Sequence, residues 1–523
     1  MQQKKLCFLA IFYLVLFSMK TAAAAGEAEF YLEPMIVTAA RYDNSAGKPG
    51  YYKVDEKKLE NGNYDNALDV IKQLPGVTLM ARGASGGMNA YCKILLNGSD
   101  RYLVIIDGVR SNWNGSSYND FDFSVLPAGM LESVEVLSSA AGSVYGNAAK
   151  GGVIRITTKK AVEGVKTSIN LETGSYGREQ ENILHLGKSG EWSWSVYARK
   201  SIMGDYSSAR QSIPSYENVE NAGIKLTKAW GETADLTLSY RVFSGRYKSK
   251  IFNYKNTEPD ETKPPKLVKN IFMTDARKTE DNLTLEYERK FSDTENNIVG
   301  IYRRSSNAAY DRSLNVERPW LLDLRTEGFF DRYSKQWHPK HTLTGGVEYY
   351  KDQVLDYQDL AAKYSDGTVI SKAVYLQDVW QLADSVKAVG SLRQDWNSYA
   401  GSKLSPALSL EYQPSEKVLY TLAYTEYFAP PKQLQIFSPD YGDEALKPEE
   451  GRVYEAGLTY VPDESSSLKI NVFHRDAADV IAVDISLPKY LRRYANIAHE
   501  KATGFTVSAS KLFSEKWRSL VAY

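Results

Sequence analysis

Cysteine is almost absent from this sequence of 523 residues, and its scarcity excludes sites that need several thiols. Only Cys7 and Cys92 are present, and Cys7 lies in a leader that we expect to be removed. A single remaining thiol excludes an internal disulfide and a cysteine metal cluster. The five histidines are scattered, and only His338 and His341 have an H-x-x-H spacing. The proline within "WHPKH" favours a turn between strands over a metal site, so we predict no metal and no cofactor.

Long apolar runs are also missing after the N-terminus, which excludes a transmembrane helix there. A closed barrel of strands stays possible, because lipid-facing and lumen-facing residues alternate and their average is polar. An excess of one charge is missing as well, since 64 basic side chains balance 64 acidic ones. The charge balance therefore gives no argument for nucleic-acid binding.

The N-terminus has the pattern of a secretory signal. Lys4 and Lys5 precede a short apolar run from Leu6 to Phe17, and small residues follow in "KTAAAAGEAEF". The apolar run is too short to span a bilayer as an anchor. We therefore predict a signal peptide over residues 1–25, cleavage after Ala25, and export of the mature chain.

From about residue 165 onward, apolar and polar residues alternate. In "LTLSYRV", Leu236 and Leu238 alternate with Thr237 and Ser239, and similar segments are "WSWSVYA", "LTLEYE", "YEAGLTY" and "FTVSAS". A period of two predicts half-buried strands. Two classes of protein have such strands, namely a soluble β-sandwich or propeller and an outer-membrane barrel.

Aromatic residues and connection lengths favour the barrel. Tyrosine recurs at the ends of the predicted strands, and the chain contains 37 Tyr and 9 Trp, as interfacial belts require. The connections "TGSYGRE" and "QPSEK" are tight, whereas "NYKNTEPDETKPPKLVKN" and "QLQIFSPDYGDEALKPEE" are long and polar. Short turns on one side and long loops on the other are typical of an exported membrane barrel.

Residues 26–160 have a different pattern. "YDNALDVIKQLPGV" has apolar residues at helical spacing from Ala67 to Leu74, and Pro75 and Gly76 then end the helix. "YLVIIDGVR" contains an uninterrupted apolar run, Leu103 to Ile106, which predicts a buried strand. This segment is predicted to be a small mixed α/β domain.

Small residues separate two strand patterns in "SVEVLSSAAGSVYGNAAKGGVIRITTKK". Gly146 and Gly151 have P-loop spacing, but Gly152 and Val153 stand where that motif needs Lys and Ser or Thr. Nucleotide binding is therefore not predicted. Gly146, Gly151 and Gly152 are instead predicted to be structural, because glycine permits backbone conformations and close approaches that a Cβ blocks.

The order of these motifs resembles that of TonB-dependent outer-membrane receptors over essentially the whole chain. "EPMIVTAAR" resembles the TonB box, "ALDVIKQLPGV" and "YLVIIDGVR" resemble plug elements, and "LKPEEGRVYEAGL" and "YANIAHEKATGF" resemble barrel motifs. The chain departs from the family pattern in the plug. Ser138 to Ala140 replace the usual Arg-Gly-Pro, and Asn97-Gly98 replaces an Arg-Gly. Because the first change removes the family's arginine, a salt bridge from that position to the barrel wall is not expected.

The resemblance implies a mainly β fold, with an N-terminal α/β plug domain inside a large antiparallel transmembrane β-barrel of about 22 strands. The expected segments are a flexible lead with the TonB box at 26–45, a plug at 46–162 and a barrel at 163–523. The TonB box would consist of Met35, Ile36, Val37, Thr38 and Ala39. A periplasmic TonB-type protein would add this segment as a strand to its own sheet.

The resemblance also implies energised transport across the outer membrane by a monomer that is not an enzyme. We expect the ligand to be a metal chelate, a ferric siderophore ahead of cobalamin, bound by plug loops and long barrel loops. The candidate binding residues are Arg82, Tyr91, Arg110, Trp113 and Tyr118.

Three alternatives stay open. A haem receptor is disfavoured because residues 26–160 contain no histidine. A passive porin-like channel would need no plug, and an exported enzyme would need a catalytic motif that we do not find.

The number of strands raises one further expectation. About seventeen candidate strands follow residue 165, fewer than the family's number. The last segment, Lys516 to Tyr523, is shorter than the ~9–11 residues of a membrane-spanning strand. We therefore expect a C-terminally truncated sequence that lacks roughly five strands.

Overall fold

The computed structural model describes most of the chain from residue 50 onward. The described residues are 50–62, 64–80, 93–113, 121–137, 139, 149–204, 216–256, 267–313, 320–359, 362–364, 367–439, 441–463, 465–487, 492–497, 499–514 and 517–523. The predicted signal peptide and TonB box lie outside them, as do Arg82, Tyr91, Tyr118 and Gly146. No helix within the described ranges is long and apolar enough to cross a bilayer.

The N-terminal region is a small α/β unit. Its strands are β1 (Tyr52–Val54), β2 (Val77–Met80), β3 (Lys93–Leu96), β4 (Leu103–Ile106), β5 (Val109–Arg110), β6 (Leu131–Leu137) and β7 (Val153–Thr158). Five of them form one sheet in the order β1-β6-β7-β4-β5, and β2 pairs with β3. Within the larger sheet, β4 and β7 are parallel and the other pairs are antiparallel.

Two short helices pack on this sheet. Helix α1 spans Glu56–Asn61, and α2 spans Ala67–Ile71, where the sequence predicts a helix. Asn66 caps α2, because its side chain accepts hydrogen bonds from the backbone N–H groups of Leu68 and Asp69. Four of the five α2 residues are buried, and Leu68, Val70 and Ile71 among them contribute roughly 1.5–3 kcal/mol each. The buried strand predicted at 103–106 is confirmed, since all four residues are buried.

The C-terminal region is a single sheet that closes into a barrel. Its strands are β8 (Gly164–Gly174), β9 (Arg178–Ser189), β10 (Trp192–Met203), β11 (Tyr216–Trp230), β12 (Ala234–Asn256), β13 (Leu267–Ser292), β14 (Glu295–Ser313), β15 (Trp320–His338), β16 (His341–Asp359), β17 (Ala362–Tyr364), β18 (Gly367–Ala383), β19 (Val386–Asn397), β20 (Gly401–Ser415), β21 (Val418–Ala429), β22 (Glu449–Asp463) and β23 (Ser466–Ala478), followed after a hairpin by β26 (Glu500–Ser514) and β27 (Trp517–Ala522). That hairpin consists of β24 (Val480–Val483) and β25 (Tyr494–Ile497), and helix α3 (Gln433–Phe437) lies between β21 and β22.

Seventeen of these strands make the barrel wall, because the short β17 pairs only with the end of β16. The count of about seventeen strands made from the sequence is therefore confirmed for the described residues. The mainly β fold, with a plug domain and a large barrel, is confirmed as well.

The alternation predicted from the sequence gives the wall two different faces. Along β19, Val389, Ser391 and Arg393 are buried inside the barrel, whereas Leu392 is 51% exposed on the outside. Other exposed aliphatic side chains on the outer face are Leu238, Leu283, Ile301, Val374, Leu408, Leu422 and Val472. A closed wall that is apolar outside and polar inside is the arrangement of a transmembrane barrel.

Nine exposed aromatic side chains lie at the end of the barrel where every connection between described wall strands has two or three residues. This aromatic girdle consists of Trp192, Trp230, Phe291, Trp337, Trp380, Tyr412, Tyr420, Tyr460 and Trp517. Rings of this kind lie at the membrane–water interface, and short turns lie on the periplasmic side of bacterial barrels. The girdle therefore marks the periplasmic end of the wall.

The opposite end carries the long connections, including residues 204–215, 257–266 and 430–448. One detail differs from expectation. The tight segment "TGSYGRE" joins β8 to β9 at this long-loop end, because strands alternate in direction and β9 and β10 are joined at the other end. The turn predicted at "WHPKH" is confirmed, since His338 ends β15 and His341 begins β16.

Candidate functional site

The N-terminal unit lies inside the barrel and is bonded to strands around its wall. Tyr52 shares a hydrogen bond with Thr506 of β26 at 3.2 Å. Carboxylates of the unit also form ion pairs with wall residues, namely Asp65 with Arg178, Asp107 with Lys225 and Asp122 with Lys278. Contacts with β9, β11, β13 and β26 occupy well-separated parts of the wall. The small domain is therefore a plug that fills the lumen.

One contact between plug and wall is a buried network of charges, which we call the ionic face. It consists of Arg101 and Lys150 of the plug with Glu449, Arg475 and Glu500 of the barrel. Glu449 is 3.0 Å from the Arg101 guanidinium and 3.6 Å from the Lys150 ammonium. Glu500 is 2.7 Å from Lys150 and 3.1 Å from Arg475. Each plug cation thus meets a barrel carboxylate, and only Glu500, whose side chain is 36% exposed, is open to water.

Backbone features of the plug bring Lys150 to this position. A Cβ at Gly151 would lie 2.4 Å from the carbonyl oxygen of Leu96, so no side chain fits there. Gly152 has a φ of +122°, and a Cβ on it would lie 2.4 Å from the carbonyl oxygen of Leu137. The Asn97 amide donates to the Gly151 carbonyl oxygen at 2.9 Å. These close approaches fix the glycine pair between the ends of β3 and β6.

The ionic face shows which residues join the plug to the barrel when the usual plug motifs are altered. Asn97 cannot form a salt bridge, yet its carbonyl oxygen accepts a hydrogen bond from Arg475 at 3.3 Å. Arg101, four residues further on, and Lys150 provide the cations instead. The plug and barrel are therefore joined by salt bridges in spite of the motif changes.

Helix α3 extends the ionic face toward the long-loop end. Arg101 donates to the Gln435 side-chain oxygen at 3.3 Å, and the same oxygen accepts from the Lys432 backbone N–H at 2.8 Å. All five residues of α3 are buried. The connection between β21 and β22 therefore folds inward onto the plug.

A second contact, which we call the aromatic face, consists of Arg110 and Trp113 of the plug with Tyr302, Arg304 and Tyr350 of the barrel. Arg110 donates to the Tyr350 hydroxyl at 3.1 Å, and its guanidinium carbon lies 5.0 Å from that ring's centre. The Arg304 guanidinium carbon lies 4.7 Å from the centre of the Trp113 ring. Cations above aromatic rings in a desolvated place attract each other through the ring quadrupole.

Arg110 and Trp113 are the two sequence-predicted ligand residues that the structure describes. Trp113 is only 5% exposed and packs in a cluster of wall and α3 side chains, namely Leu322, Leu324, Val354, Tyr357 and Leu434. Arg110 is half-buried against Tyr350. Both side chains therefore contact the wall, Trp113 near the long-loop end and Arg110 at the middle of β16.

Two charged plug residues keep their charge despite burial. Burial opposes ionisation of Asp107, but the charges of Lys225 and Arg241 and hydrogen bonds from Thr158 lower its pKa below the usual value. Burial also opposes the charge of Arg110, but the neighbouring Tyr350 and Asp352 groups raise its pKa. These plug contacts are therefore charged at neutral pH.

Sequence reasoning missed the barrel half of both faces. Glu449 lies in the "LKPEEGRVYEAGL" segment that carried the resemblance, so a signal for it existed. Arg304 had no signal, because it follows Arg303 and only the strand register decides which of the two faces the lumen. In the part of the chain that the structure describes, no group of three or more His, Cys, Asp or Glu side chains could hold a metal ion.

Comparisons with known proteins agree with this architecture. The family described as "TonB dependent receptor-like, beta-barrel" matches residues 192–523, and the "TonB-dependent Receptor Plug Domain" matches residues 49–153. The vitamin B12 transporter BtuB of Vibrio vulnificus is 25% identical over 490 residues, which is 91% of this chain and 75% of that protein. The probable TonB-dependent siderophore receptor PirA of Acinetobacter baumannii is 25% identical over 72% of this chain and 57% of its own length.

A solved structure has the same fold. The ferric enterobactin receptor PfeA of Pseudomonas aeruginosa, in complex with enterobactin, superposes with a TM-score of 0.73 at 15% identity. The match covers 91% of this chain and 80% of that one. At this identity the likeness concerns the fold alone.

Proposed function

The chain belongs to the TonB-dependent receptors of the outer membrane, and from this premise we propose that it imports a metal chelate, a ferric siderophore ahead of cobalamin. The plug carries the proposal. A passive channel has no use for a folded domain in its lumen that is bonded to several strands of the wall. A plugged lumen needs an energy source to open, and TonB-dependent transport provides one.

The direction of coupling agrees with the position of the described N-terminus. The Tyr51 carbonyl oxygen accepts from Lys469 at 3.1 Å, close to the start of β23 at the periplasmic end. The proposed TonB box at Met35–Ala39 precedes this point in the chain. A periplasmic partner would add the box as a strand to its own sheet, and the force would reach the plug directly.

The substrate class rests on the relatives and on the plug loops. A siderophore receptor and a cobalamin transporter are both among the relatives. Plug loops with Arg82, Tyr91, Arg110, Trp113 and Tyr118 suit a bulky polar chelate, and the plug sequence contains no histidine for haem. We rank a ferric siderophore first and cobalamin second, with a monomer as the transporting unit.

Binding of a ligand panel to the purified protein tests the ranking. The panel contains a ferric catecholate, a ferric hydroxamate, cyanocobalamin and haem, and tryptophan fluorescence reports binding. We expect sub-micromolar affinity for one of the first three. If haem binds at that affinity and the other three ligands do not bind, the ranking is reversed. A steady open-pore conductance in planar bilayers would favour a passive channel.

The variant Ile36→Pro tests energised transport separately from binding. Proline lacks the N–H that strand addition needs and restricts φ, so we expect uptake to be lost and surface binding to be kept. Uptake at the normal rate would show that the box assignment is wrong.

A further inference from the structure

Arg304 is a deeply buried cation, and none of the described carboxylates lies within salt-bridge distance of it. Its side chain is 3% exposed, and its nearest described partners are the Asn112 carbonyl oxygen at 3.0 Å and the rings of Trp113 and Tyr302. Within the described residues, no carboxylate lies within 4.0 Å of it, and its Nε has no hydrogen-bond partner. A buried charge without a counter-ion is unfavourable, so its presence calls for a reason.

Two other buried wall arginines show how a carboxylate can neutralise such a charge. Arg393, equally buried, contacts Asp395 at 3.0 Å and Glu348 at 2.8 Å. Arg475 contacts Glu500 at 3.1 Å.

Arg199 of β10 is buried without a described carboxylate at salt-bridge distance, but it donates to both the Gln180 side-chain oxygen at 2.7 Å and the Asp65 carbonyl oxygen at 3.0 Å. Among the described residues, Arg304 has neither a carboxylate at that distance nor a second hydrogen-bond acceptor.

The groups that cover Arg304 from the lumen belong to the plug, where the Asn112 side chain is hydrogen-bonded to the Tyr102 carbonyl oxygen and the Val104 N–H. Asn112 and Trp113 come from the segment that follows β5, whereas Tyr302 belongs to the same strand as Arg304. Movement of that plug segment would remove both the carbonyl acceptor and the indole ring. The guanidinium would then face the lumen with N–H groups that can donate hydrogen bonds to a ligand.

The position suits a group that acts after the first binding step. Arg304 lies on β14 below the long-loop end, and Trp113 separates it from that end by packing on β15, β16 and α3. Asp352 and Glu280 act on it through their charge without direct contact. The negative charges of these two acids would weaken the binding of an anion to Arg304. A site on a transport path must bind its cargo weakly enough to release it.

We propose that Arg304 is an anion-binding station on the wall of the transport path, covered by Asn112 and Trp113 while the plug is seated and exposed when this segment moves. Its ligand would be a carboxylate, catecholate or phosphate oxygen pair of the chelate, which the planar guanidinium can hold with two hydrogen bonds. Because the station acts on cargo in transit, the inference rests on the proposed import of a metal chelate.

The test compares surface binding with energised uptake in cells that express the full chain. The probes are an anionic ferric tris-catecholate and an uncharged ferric tris-hydroxamate. Arg304→Gln should lower the uptake rate of the anionic chelate about tenfold, the effect of losing hydrogen bonds to a charged group, with surface affinity unchanged. Arg304→Lys keeps the charge and should retain more uptake than the glutamine variant.

Arg303→Gln is the matched control. Arg303 is adjacent on the same strand but exposed on the opposite face, so its variant loses the same charge without touching the lumen. We expect normal uptake from it. Heat-modifiable migration and a closed conductance trace identify any Arg304 variant that fails to fold or loses its plug seal, and Arg304→Lys then carries the test.

The outcomes separate the inference from the function on which it rests. Equal uptake of the anionic chelate by Arg304→Gln and the wild type would overturn the station alone. Wild-type uptake of only an uncharged chelate would also overturn it and leave the proposed function standing. Absence of wild-type uptake of any metal chelate would overturn both.

Discussion

The two faces of the plug hold it in different ways. On the ionic face, Arg101 and Lys150 each meet a barrel carboxylate. On the aromatic face, Arg110 and Arg304 meet rings, a hydroxyl and a carbonyl oxygen, and no described carboxylate within salt-bridge distance. Paired charges lose much when they separate, whereas cation–ring contacts lose about 0.5–2 kcal/mol. We therefore expect the contacts of the aromatic face to separate at a lower cost than those of the ionic face.

The largest effect should come from unpairing the ionic face. Glu449→Gln would leave Arg101 and Lys150 without the carboxylate that they share, at a cost of roughly 3–5 kcal/mol. We expect a lower denaturant midpoint for the plug and a leak conductance in planar bilayers.

Glu450 gives the control for this variant. It is adjacent, 40% exposed and paired with Lys403 at 2.7 Å on the other face of β22. Glu450→Gln should change stability by about 1 kcal/mol or less. Equal effects of the two variants would contradict the assigned difference between buried and exposed pairs.

A smaller effect is expected from moving the ionic face without changing its charge. Gly151→Ala introduces a Cβ against the Leu96 carbonyl oxygen and should cost about 1–3 kcal/mol through backbone displacement next to Lys150. Thermal unfolding followed by near-ultraviolet circular dichroism measures it. Gly98→Ala is the comparison, because no atom lies within 4 Å of its added Cβ and only backbone strain acts. A larger loss at Gly98 would count against the close approach at Gly151.

A still smaller effect is expected on the aromatic face. Trp113→Phe keeps a ring above Arg304 but weakens its quadrupole, so the loss should be about 0.5–1 kcal/mol. A double-mutant cycle with Arg304→Gln measures the coupling between the two side chains. Additive losses would show that the ring and the cation do not interact.

Lowering the pH into the acid range should weaken the contact between the plug and β11, whereas changes of pH near neutrality should not affect it. The pKa of Asp107 is lowered in the folded chain, so its contribution to stability is complete above the unfolded value of about 3.9 and is lost as pH falls through the folded value. Heat-modifiable migration, measured over a series of acidic pH values, should show this loss of stability in the wild type. The Asp107→Asn variant should not show this loss. If the variant loses stability over the same pH range as the wild type, other groups cause the transition.

The parts of this molecule that depend on local pattern could be predicted from the sequence. Alternation along 236–242 identified a strand, and the apolar run at 103–106 identified a buried one. The ionic face depends instead on Arg101 meeting a residue 348 positions away, and no local pattern reports such a distance. For the same reason Arg304 could not be distinguished from Arg303, since the lumen side is fixed by pairing with β13 and β15.

Loop composition predicted Arg110 and Trp113 as exposed ligand residues, because arginine and tryptophan among Gly, Ser and Asn are typical of binding loops. Composition carries no information on what covers a loop. The structure seats Trp113 under α3, which arrives from more than 300 positions later in the sequence, and the predicted contact with ligand stays a prediction.

The aromatic girdle has a mechanical consequence. An inward pull on the plug is passed through Arg101 and Lys150 to β22 and β26, so the barrel itself is loaded toward the periplasm. Rings such as Trp337 and Trp380 prefer the interface to either the hydrocarbon or the water, and a shift of the barrel along the membrane normal would move all of them at once. The girdle would therefore resist movement of the barrel along the membrane normal, so that an applied force would deform the plug before it displaced the whole protein.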